Sequence, residues 1–171
     1  MSAAARPTNR MDTMTAGNHS RVARTQGAHA RVDGLDATLE LFFYAYTGLI
    51  AESDRHLAKL SFGRIHHRIM YFVRSRRSLS VADLVGILRI TRQGLHRPLR
   101  QLIDSGYVDW EPDDQNRRVH LLHLTERGLA LEKKVSDMQK NLLKRAFRSV
   151  GADKEEGWRQ VMSKLAGANL T

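Results

Sequence analysis

The feature that most constrains this chain is a pair of short helical segments joined by a tight link. Ser80 is placed to cap the first segment, and Thr91 is placed to cap the second, which runs to about Ser105. Apolar residues recur along both segments at helical spacing: Val81, Leu84, Val85 and Leu88, then Leu95, Leu99, Leu102 and Ile103. Gly106 follows where a left-handed residue usually ends a helix. Two such segments predict a helix-turn-helix.

The segment that follows narrows the fold further. Residues 107–111 have the composition of a strand, residues 112–116 are rich in turn formers, and residues 117–124 predict a return strand. A β-hairpin placed directly after the second helix of a helix-turn-helix is a wing. The sequence therefore predicts a winged helix-turn-helix over residues 60–125, which we call the winged-helix head.

Longer helices flank the winged-helix head on both sides. An apolar stripe predicts a helix over residues 35–58, and its members are Leu35, Leu39, Phe42, Phe43, Tyr46, Leu49 and Ile50. Ser61 is placed to cap a second helix that runs to Val73. Thr125 is placed to cap a long helix to about Val150, and Asp153 begins a last short helix. The predicted fold is mainly α with a small β wing.

The flanking helices carry more apolar surface than a small head can cover. This surface includes Phe42, Phe43, Leu142, Leu143, Phe147 and Trp158. Soluble monomers rarely leave so large an apolar patch exposed. We therefore predict that residues 35–58 and 126–168 are dimerisation helices and that the chain forms a homodimer.

The charge of the chain favours an anionic partner. Lys and Arg number 28 against 18 Asp and Glu, which gives a formal net charge of +10. Nucleic acid and an anionic membrane surface both fit such a charge, and so does a merely basic soluble protein. Charge alone does not separate these classes.

Residues 1–34 have almost no periodic apolar pattern and contain five Arg against two Asp. We interpret them as a disordered basic arm. The arm either contacts DNA phosphates or is a solvated tail without a task, and the composition favours the tail.

Several classes of protein are disfavoured by what the sequence lacks. No apolar run approaches the length of a membrane span, and residues 1–34 have no apolar segment typical of a secretory signal. The chain has no cysteine, which excludes disulfides and thiolate metal sites and fits a reducing cytoplasm. We find no phosphate-binding loop, dinucleotide fingerprint or nucleophile elbow, and the carboxylates lie along polar faces. We therefore expect neither an enzyme nor a cofactor.

The chain has eight histidines, but their spacing does not predict a metal site. His120 and His123 fall on opposite sides of the predicted return strand, so they cannot share an ion. We expect no metal.

The second helix of the motif presents a polar, basic face opposite its apolar one. This face comprises Arg92, Gln93, His96, Arg97 and Arg100. The second helix of a helix-turn-helix enters the major groove of DNA. An arginine side chain can bind both acceptors of guanine, and glutamine can bind adenine in the same way. The alternative is a solvated basic face on an ordinary helix, but its position between a scaffold helix and a wing favours DNA.

Three further residues are candidates for contacts with the DNA backbone or the minor groove. Thr91 lies at a helix start, where free backbone N–H groups can bind a phosphate. Arg117 and Arg118 lie at the predicted wing tip, from which a guanidinium can enter the minor groove or bind a phosphate.

Pro98 is unusual because it lies inside the predicted recognition helix. Proline there removes one backbone hydrogen bond to the residue four positions earlier. That residue is Gly94, whose flexibility can ease the clash with the proline ring. We expect a slight bend and not a break.

These motifs together resemble the MarR family of winged helix-turn-helix transcriptional regulators. The resemblance covers about 70 residues, from Leu57 to Gly128. It is carried by LVGIL at 84–88, TRQGLHRPL at 91–99, LIDSGYV at 102–108, NRR at 116–118 and LTERG at 124–128. One position departs from the common pattern, because Asn116 stands where many members have Asp.

The resemblance implies that residues 35–171 form one MarR-type domain that binds a pseudo-palindromic operator in double-stranded DNA as a homodimer. It also implies that Arg97 is a contact of the recognition helix and that Arg118 is the arginine of the wing. Asn116 is a weaker, neutral acceptor for Arg118 than Asp would be, so the wing is expected to be looser here.

Regulators of this family often bind small aromatic carboxylates or phenols where the dimerisation helices meet the head. Here that junction is predicted to contain Tyr46, Arg64, His66, His67 and Tyr71. A basic residue beside histidines and tyrosines suits a small aromatic acid. As alternatives, His66 fits a core histidine with satisfied hydrogen bonds, while His67 and Tyr71 fit an interface.

The sequence leaves two classes of function open. The first is a cytoplasmic DNA-binding regulator, in the leading form a homodimeric repressor released from its operator by a small effector, with a transcriptional activator as the variant. The second is a winged-helix module that binds a protein partner without a ligand.

Overall fold

The computed structural model describes residues 34–76 and 79–167. In chain order, its elements are α1 (Gly34–Ala58), α2 (Arg64–Ser75), β1 (Leu79–Ser80), α3 (Val81–Leu88), α4 (Arg92–Asp104), β2 (Val108–Pro112), β3 (His120–Leu124), α5 (Glu126–Val150) and α6 (Ala152–Gly167). The predicted fold class, mainly helical with a small β wing, is confirmed. The predicted arm, residues 1–34, lies outside the described residues except for its last residue.

The apolar core lies inside the winged-helix head, where α2, α3 and α4 pack against the sheet. Its most deeply buried side chains are Ile69, Met70, Leu84, Leu95, Leu102 and Val108. Leu131 and Val135 of α5 join the same core, so the long C-terminal helix begins as part of the head. The inward positions predicted for the two helices of the motif agree with this packing.

The start signals predicted for α3 and α4 are confirmed. The Ser80 hydroxyl accepts a hydrogen bond from the Asp83 N–H at 3.2 Å, and the Asp83 carboxylate accepts one from the Ser80 N–H at 2.9 Å. The Thr91 hydroxyl likewise accepts from the Gly94 N–H at 3.0 Å. Each bond satisfies a backbone donor that has no partner within the helix.

The start predicted for α2 is wrong. Ser61 does not cap this helix; it adopts a left-handed conformation (φ 59°) after the end of α1. The Phe62 N–H reaches back to the Leu57 carbonyl at 3.0 Å, which is the bond that closes a left-handed helix end. Gly63 is the residue that precedes α2. Ser61 therefore belongs to the end of α1, whereas its residue type led to its prediction as the N-cap of α2.

The wing belongs to a three-stranded antiparallel sheet in the order β1-β3-β2. In the wing, Val108 pairs with Leu124 and Trp110 with Leu122, while Leu79 of β1 pairs with Leu122 from the other side. β1 does not follow from the sequence, because a strand of two residues is too short to show the alternating period of a strand. The return strand begins at His120 and not at 117, so the tip of the wing is longer than predicted.

The flanking helices lie against each other and leave apolar side chains in solvent. α1 packs on α5, and α6 packs on the end of α5, where the rings of Phe147 and Trp158 meet at 5.3 Å. Within the described residues, α6 has no buried side chain. The exposed apolar residues of these helices include Leu35, Leu39, Leu41, Phe42, Phe43, Trp158, Val161 and Leu165. None of the described helices is both long and apolar enough to cross a membrane.

The start of α5 is fastened to the loop between α4 and β2. The Thr125 hydroxyl donates to the Gly106 carbonyl at 2.8 Å, and its backbone N–H donates to the Tyr107 carbonyl at 3.2 Å. The Arg127 guanidinium lies 4.3 Å from the centroid of the Tyr107 ring and donates to the Ser105 carbonyl. Gly128 lies so close that an added Cβ would stand 1.9 Å from the Tyr107 carbonyl oxygen. The LTERG motif thus joins the head to the C-terminal helices.

Replacing Gly128 with alanine should strongly destabilise the protein. The Cβ has no room against a backbone carbonyl, so we expect a loss of about 3 kcal/mol in the free energy of unfolding, the upper end for overpacking. Gly86→Ala is the matched control, because no atom lies within 4 Å of its added Cβ. It should be neutral or gain up to about 1 kcal/mol from helix propensity. Chemical denaturation measures both, and equal effects would contradict the close approach.

Candidate nucleic-acid interface

The face of α4 opposite the core is open to solvent. Leu95, Pro98 and Leu99 are buried, whereas the residues predicted to contact DNA on and before this helix are exposed: Thr91, Arg92, Gln93, His96, Arg97 and Arg100. They lie over the first two turns and the middle of the helix. The structure therefore brings all six onto one accessible surface.

Pro98 does not interrupt α4, which runs unbroken from Arg92 to Asp104. Its ring is buried, so this residue contributes to the core face. The carbonyl that loses its hydrogen bond belongs to Gly94. Because Gly94 also gives its N–H to Thr91, the first turn of the helix is held by the cap.

The arginines of α4 differ in their partners. Arg100 donates from Nε to both carboxylate oxygens of Asp104, at 2.9 and 3.1 Å. No carboxylate of the described residues pairs with Arg92 or Arg97. An exposed guanidinium without a carboxylate partner is the one most available to a base or a phosphate.

At the tip of the wing, Arg117 and Arg118 are exposed. Asn116 does accept a hydrogen bond from Arg118, but the donor is the backbone N–H, at 3.2 Å. The Asn116 side chain therefore shapes the turn, and this bond leaves the Arg118 guanidinium unconstrained.

The two histidines of the wing have separate partners. The His120 ring lies 4.1 Å from the Trp110 ring, and the His123 ring nitrogen lies 2.9 Å from the Glu111 carboxylate. Over the described residues, no group of three or more candidate ligands could hold a metal ion.

His66 connects α4 to the turn that follows α1. Its Nδ1 accepts a hydrogen bond from the Gly63 N–H at 2.9 Å, and its Nε2 lies 3.0 Å from the Gln101 side-chain oxygen. Gln101 in turn donates to the Ser61 carbonyl at 3.1 Å. The His66 ring also stacks on Phe62, with centroids 4.9 Å apart. These contacts fix the ring as a neutral imidazole with its hydrogen on Nε2.

Comparisons with known proteins agree with this geometry. The sequence profile described as the MarR family matches residues 60–119. An HTH-type transcriptional regulator of Rhodobacter capsulatus, PetP, is 38% identical over 127 residues, which is 74% of this chain and 76% of that protein. The chain belongs to the MarR family. The expected family is therefore confirmed, and the chain is a DNA-binding transcriptional regulator.

Solved structures of the MarR family share the fold at low sequence identity. A mutant MarR from E. coli complexed with operator DNA is 17% identical with a TM-score of 0.62, over 79% of this chain and 97% of that chain. A mutant MepR from S. aureus bound to an oligodeoxyribonucleotide is 16% identical with a TM-score of 0.55, over 77% of this chain and 96% of that chain. At these identities the likeness shows the winged-helix fold alone.

Four of the five residues predicted for an effector site surround one cavity of about 400 Å³ between α1, α2, α3 and α5, which we call the junction cavity. They are Tyr46, Arg64, His67 and Tyr71. His66 is not among them, because it lies on the side of α2 that faces α4. His66 therefore does not line the junction cavity, and its burial and two hydrogen bonds agree with the alternative of a core histidine with satisfied hydrogen bonds.

The junction cavity also contains charged residues that the sequence analysis missed. Arg64 donates from Nε to Asp54 at 2.7 Å, so its charge already has a partner. Arg68 donates to the Tyr46 hydroxyl at 3.0 Å and has no carboxylate partner among the described residues. Arg68 lies one helical turn after Arg64, and this spacing could have predicted that both side chains lie on the same face of α2. Asp54 lies on α1 and could not be paired with Arg64 without the fold.

The neutral His66 predicts a pH dependence of stability. Burial lowers the pKa of His66 below its ordinary value of 6.5. As pH falls below about 6.5, the unfolded chain takes up a proton at this residue before the folded protein does, so stability is lost over that range. In His66→Gln the side-chain amide can still accept from the Gly63 N–H, but it does not titrate. The melting temperature of the variant should fall less than that of the wild type between about pH 7.5 and pH 5, and parallel curves would contradict the assignment.

Proposed function

We propose that the protein is a homodimeric repressor that binds a pseudo-palindromic operator and is released by a small anionic effector. The observation that carries this proposal is the open polar face at the start of α4, which holds unpaired Arg92 and Arg97 beside Gln93. It lies behind the capped scaffold helix α3 and before a wing that ends in two arginines. Such a surface suits the major groove, with the wing in the adjacent minor groove.

Dimerisation is supported by the apolar surface of the flanking helices. Leu35 is 74% exposed, Leu39 69% and Phe43 61%, all on α1. An apolar cavity of about 640 Å³ adjoins them, lined mainly by Phe42, Leu142, Phe147, Trp158 and Met162. A second copy of the chain, with the same surface, is the proposed occupant, since most soluble oligomers are symmetric homo-oligomers. Two heads would then bind half-sites about 34 Å apart.

Repression is the proposed outcome because a dimer that spans two half-sites covers promoter DNA. Transcription in vitro from the promoter of the chain's own gene tests this step. Activation at the same promoter would keep the DNA-binding part of the proposal and replace repression.

Arg97→Ala should weaken specific DNA binding without changing the fold. Loss of a bidentate contact to guanine corresponds to about 1–3 kcal/mol, which is roughly a 5- to 150-fold rise in Kd. Arg145→Ala is the matched control, because Arg145 is also exposed but lies on α5, outside the head and outside the lining of the apolar cavity. Fluorescence anisotropy with a promoter fragment, titrated at several salt concentrations, measures both variants.

Two outcomes would contradict DNA recognition by this head. One is binding that does not distinguish the promoter fragment from random duplex. The other is an affinity independent of salt, which would favour the winged-helix protein-interaction module, since phosphate contacts release counterions and depend steeply on ionic strength.

The charges in the junction cavity support an acidic effector. Arg68 is the cation there without a carboxylate partner among the described residues, and it donates only to Tyr46 in this region. Tyr46, Tyr71 and Phe72 contribute rings to the same cavity. We propose a small aromatic carboxylate or phenol whose oxygen binds Arg68 and whose ring packs against these side chains.

Benzoate is a suitable probe of the junction cavity. It should raise the melting temperature of the wild type by mass action. Arg68→Gln should reduce that shift, because the unpaired cation is lost. Asp54→Asn should increase it, because Arg64 is released from its ion pair. A loss of fold would not make the benzoate-induced rise in melting temperature smaller in one variant and larger in the other. Equal rises in the wild type and both variants would contradict binding of benzoate in the junction cavity.

A further inference from the structure

Glu132 is a fully buried carboxylate at the junction between the head and the C-terminal helices. Its side chain is 0% exposed, and its neighbours Leu131 and Val135 on α5 belong to the core. Glu132 departs from the expectation, drawn from the sequence, that the carboxylates lie along polar faces. Burying an ion costs several kcal/mol unless it is paired and hydrogen-bonded. DNA recognition as described above does not use this residue.

Two residues compensate the charge of Glu132. Arg74, in the last turn of α2, places Nε 2.5 Å from Oε2 in an ion pair that lacks hydrogen-bond geometry, and the Ser136 hydroxyl donates to Oε1 at 2.5 Å. Arg74 also lines a cavity of about 390 Å³ at the base of the wing, together with Leu122 and Leu124 of β3. One carboxylate on α5 therefore holds the end of α2 where the wing begins.

The same carboxylate reaches the junction cavity through His67. The His67 Nε2 lies 3.2 Å from the Ser136 hydroxyl oxygen. Because Ser136 gives its single hydrogen to Glu132, its oxygen must accept, so the hydrogen of the neutral His67 ring is on Nε2. His67 itself lines the junction cavity. A continuous chain of contacts thus runs from that cavity through His67, Ser136 and Glu132 to Arg74.

Four charged groups face His67. They are Asp54 on α1, Arg68 and Arg74 on α2, and Glu132 on α5. Burial lowers the pKa of His67 most, and the two arginines lower it further, while the two carboxylates raise it. The balance keeps the ring neutral at neutral pH, and a proton must come from mildly acidic solution or be stabilised by an added anion.

We propose that Glu132 is a positioning residue for DNA recognition and that it exchanges Arg74 for His67 when a proton enters the junction cavity. A proton added at Nδ1 gives an imidazolium whose Nε2 is 4.0 Å from Glu132 Oε1. Two cations then share one carboxylate. Arg74, with a side chain 31% exposed, can move to water, whereas His67, at 12%, cannot. The end of α2 loses its tie to α5, and the affinity for DNA falls.

An anionic effector would act in the same direction as the proton. A carboxylate bound by Arg68 adds a negative charge to the cavity that His67 lines, and a negative charge favours the imidazolium. Effector and proton therefore stabilise the same state of the head. This inference rests on the proposed function, since its consequence is measured as DNA affinity.

The test compares DNA affinity at about pH 7.5 and about pH 5.5, at constant ionic strength, with the promoter fragment. Relative to His67→Gln, the wild type should lose roughly three- to fivefold more affinity between these pH values, the part of a one-unit difference in the pKa of His67 between free and bound protein that develops by about pH 5.5. Glu132→Gln should bind weakly at both pH values. His56→Gln, which changes a histidine on α1 outside the network, is the control and should keep the response of the wild type.

A second measurement does not depend on DNA. The Arg74 Nε–H signal in an NMR titration should shift with the same midpoint as the His67 ring, and His67→Gln should abolish that shift. Absence of the shared midpoint, or an unchanged pH response of DNA affinity in His67→Gln, overturns the inference. A wild type that titrates as expected but binds no DNA at either pH would instead overturn the proposed function. Should Glu132→Gln fail to fold, His67→Gln and the titration still decide.

Discussion

The close approach of Gly128 to the Tyr107 carbonyl determines how the rest of the molecule is arranged. It places the first turn of α5 against the loop that follows α4, where Thr125 and Arg127 add hydrogen bonds and a cation–π contact. From this point α5 carries two apolar residues into the core of the head and then leaves it to pack with α1. The orientation of α4 relative to α5 therefore depends on the close approach of Gly128 to the Tyr107 carbonyl, reinforced by the side chains of Thr125 and Arg127.

The parts of the fold that follow from local signals could be predicted from the sequence. Ser80 and Thr91 cap helices in the expected way, and the helical period identified the buried and exposed faces of α4. The strand β1 and the role of Ser61 could not be predicted in this way. A two-residue strand exists only because β3 lies beside it, and Ser61 resembles an N-cap by residue type although its backbone closes the preceding helix.

For the candidate site too, the parts that depend on local sequence could be predicted and the parts that depend on distant contacts could not. The surface proposed to contact DNA lies on one helix and one turn, so its members could be named from the sequence. The junction cavity depends on pairs that are distant in sequence, such as Asp54 with Arg64 and Tyr46 with Arg68, and these decide which arginine is available. Glu132 shows the same limit, since only the packing of α2 on α5 turns a residue of ordinary helical pattern into a buried ion.

The position of Ser80 also affects how much conformational entropy the wing would lose on binding. It is the last residue of β1, which pairs with the wing strand β3, and it is also the residue that caps α3. No linker separates the base of the wing from the scaffold helix, so the two share a single rigid frame. If its tip enters a groove as proposed, a hairpin held in this way loses little conformational freedom on binding. In the proposed complex with DNA, the arginines at that tip would be presented from a base that is ordered during folding and not during recognition.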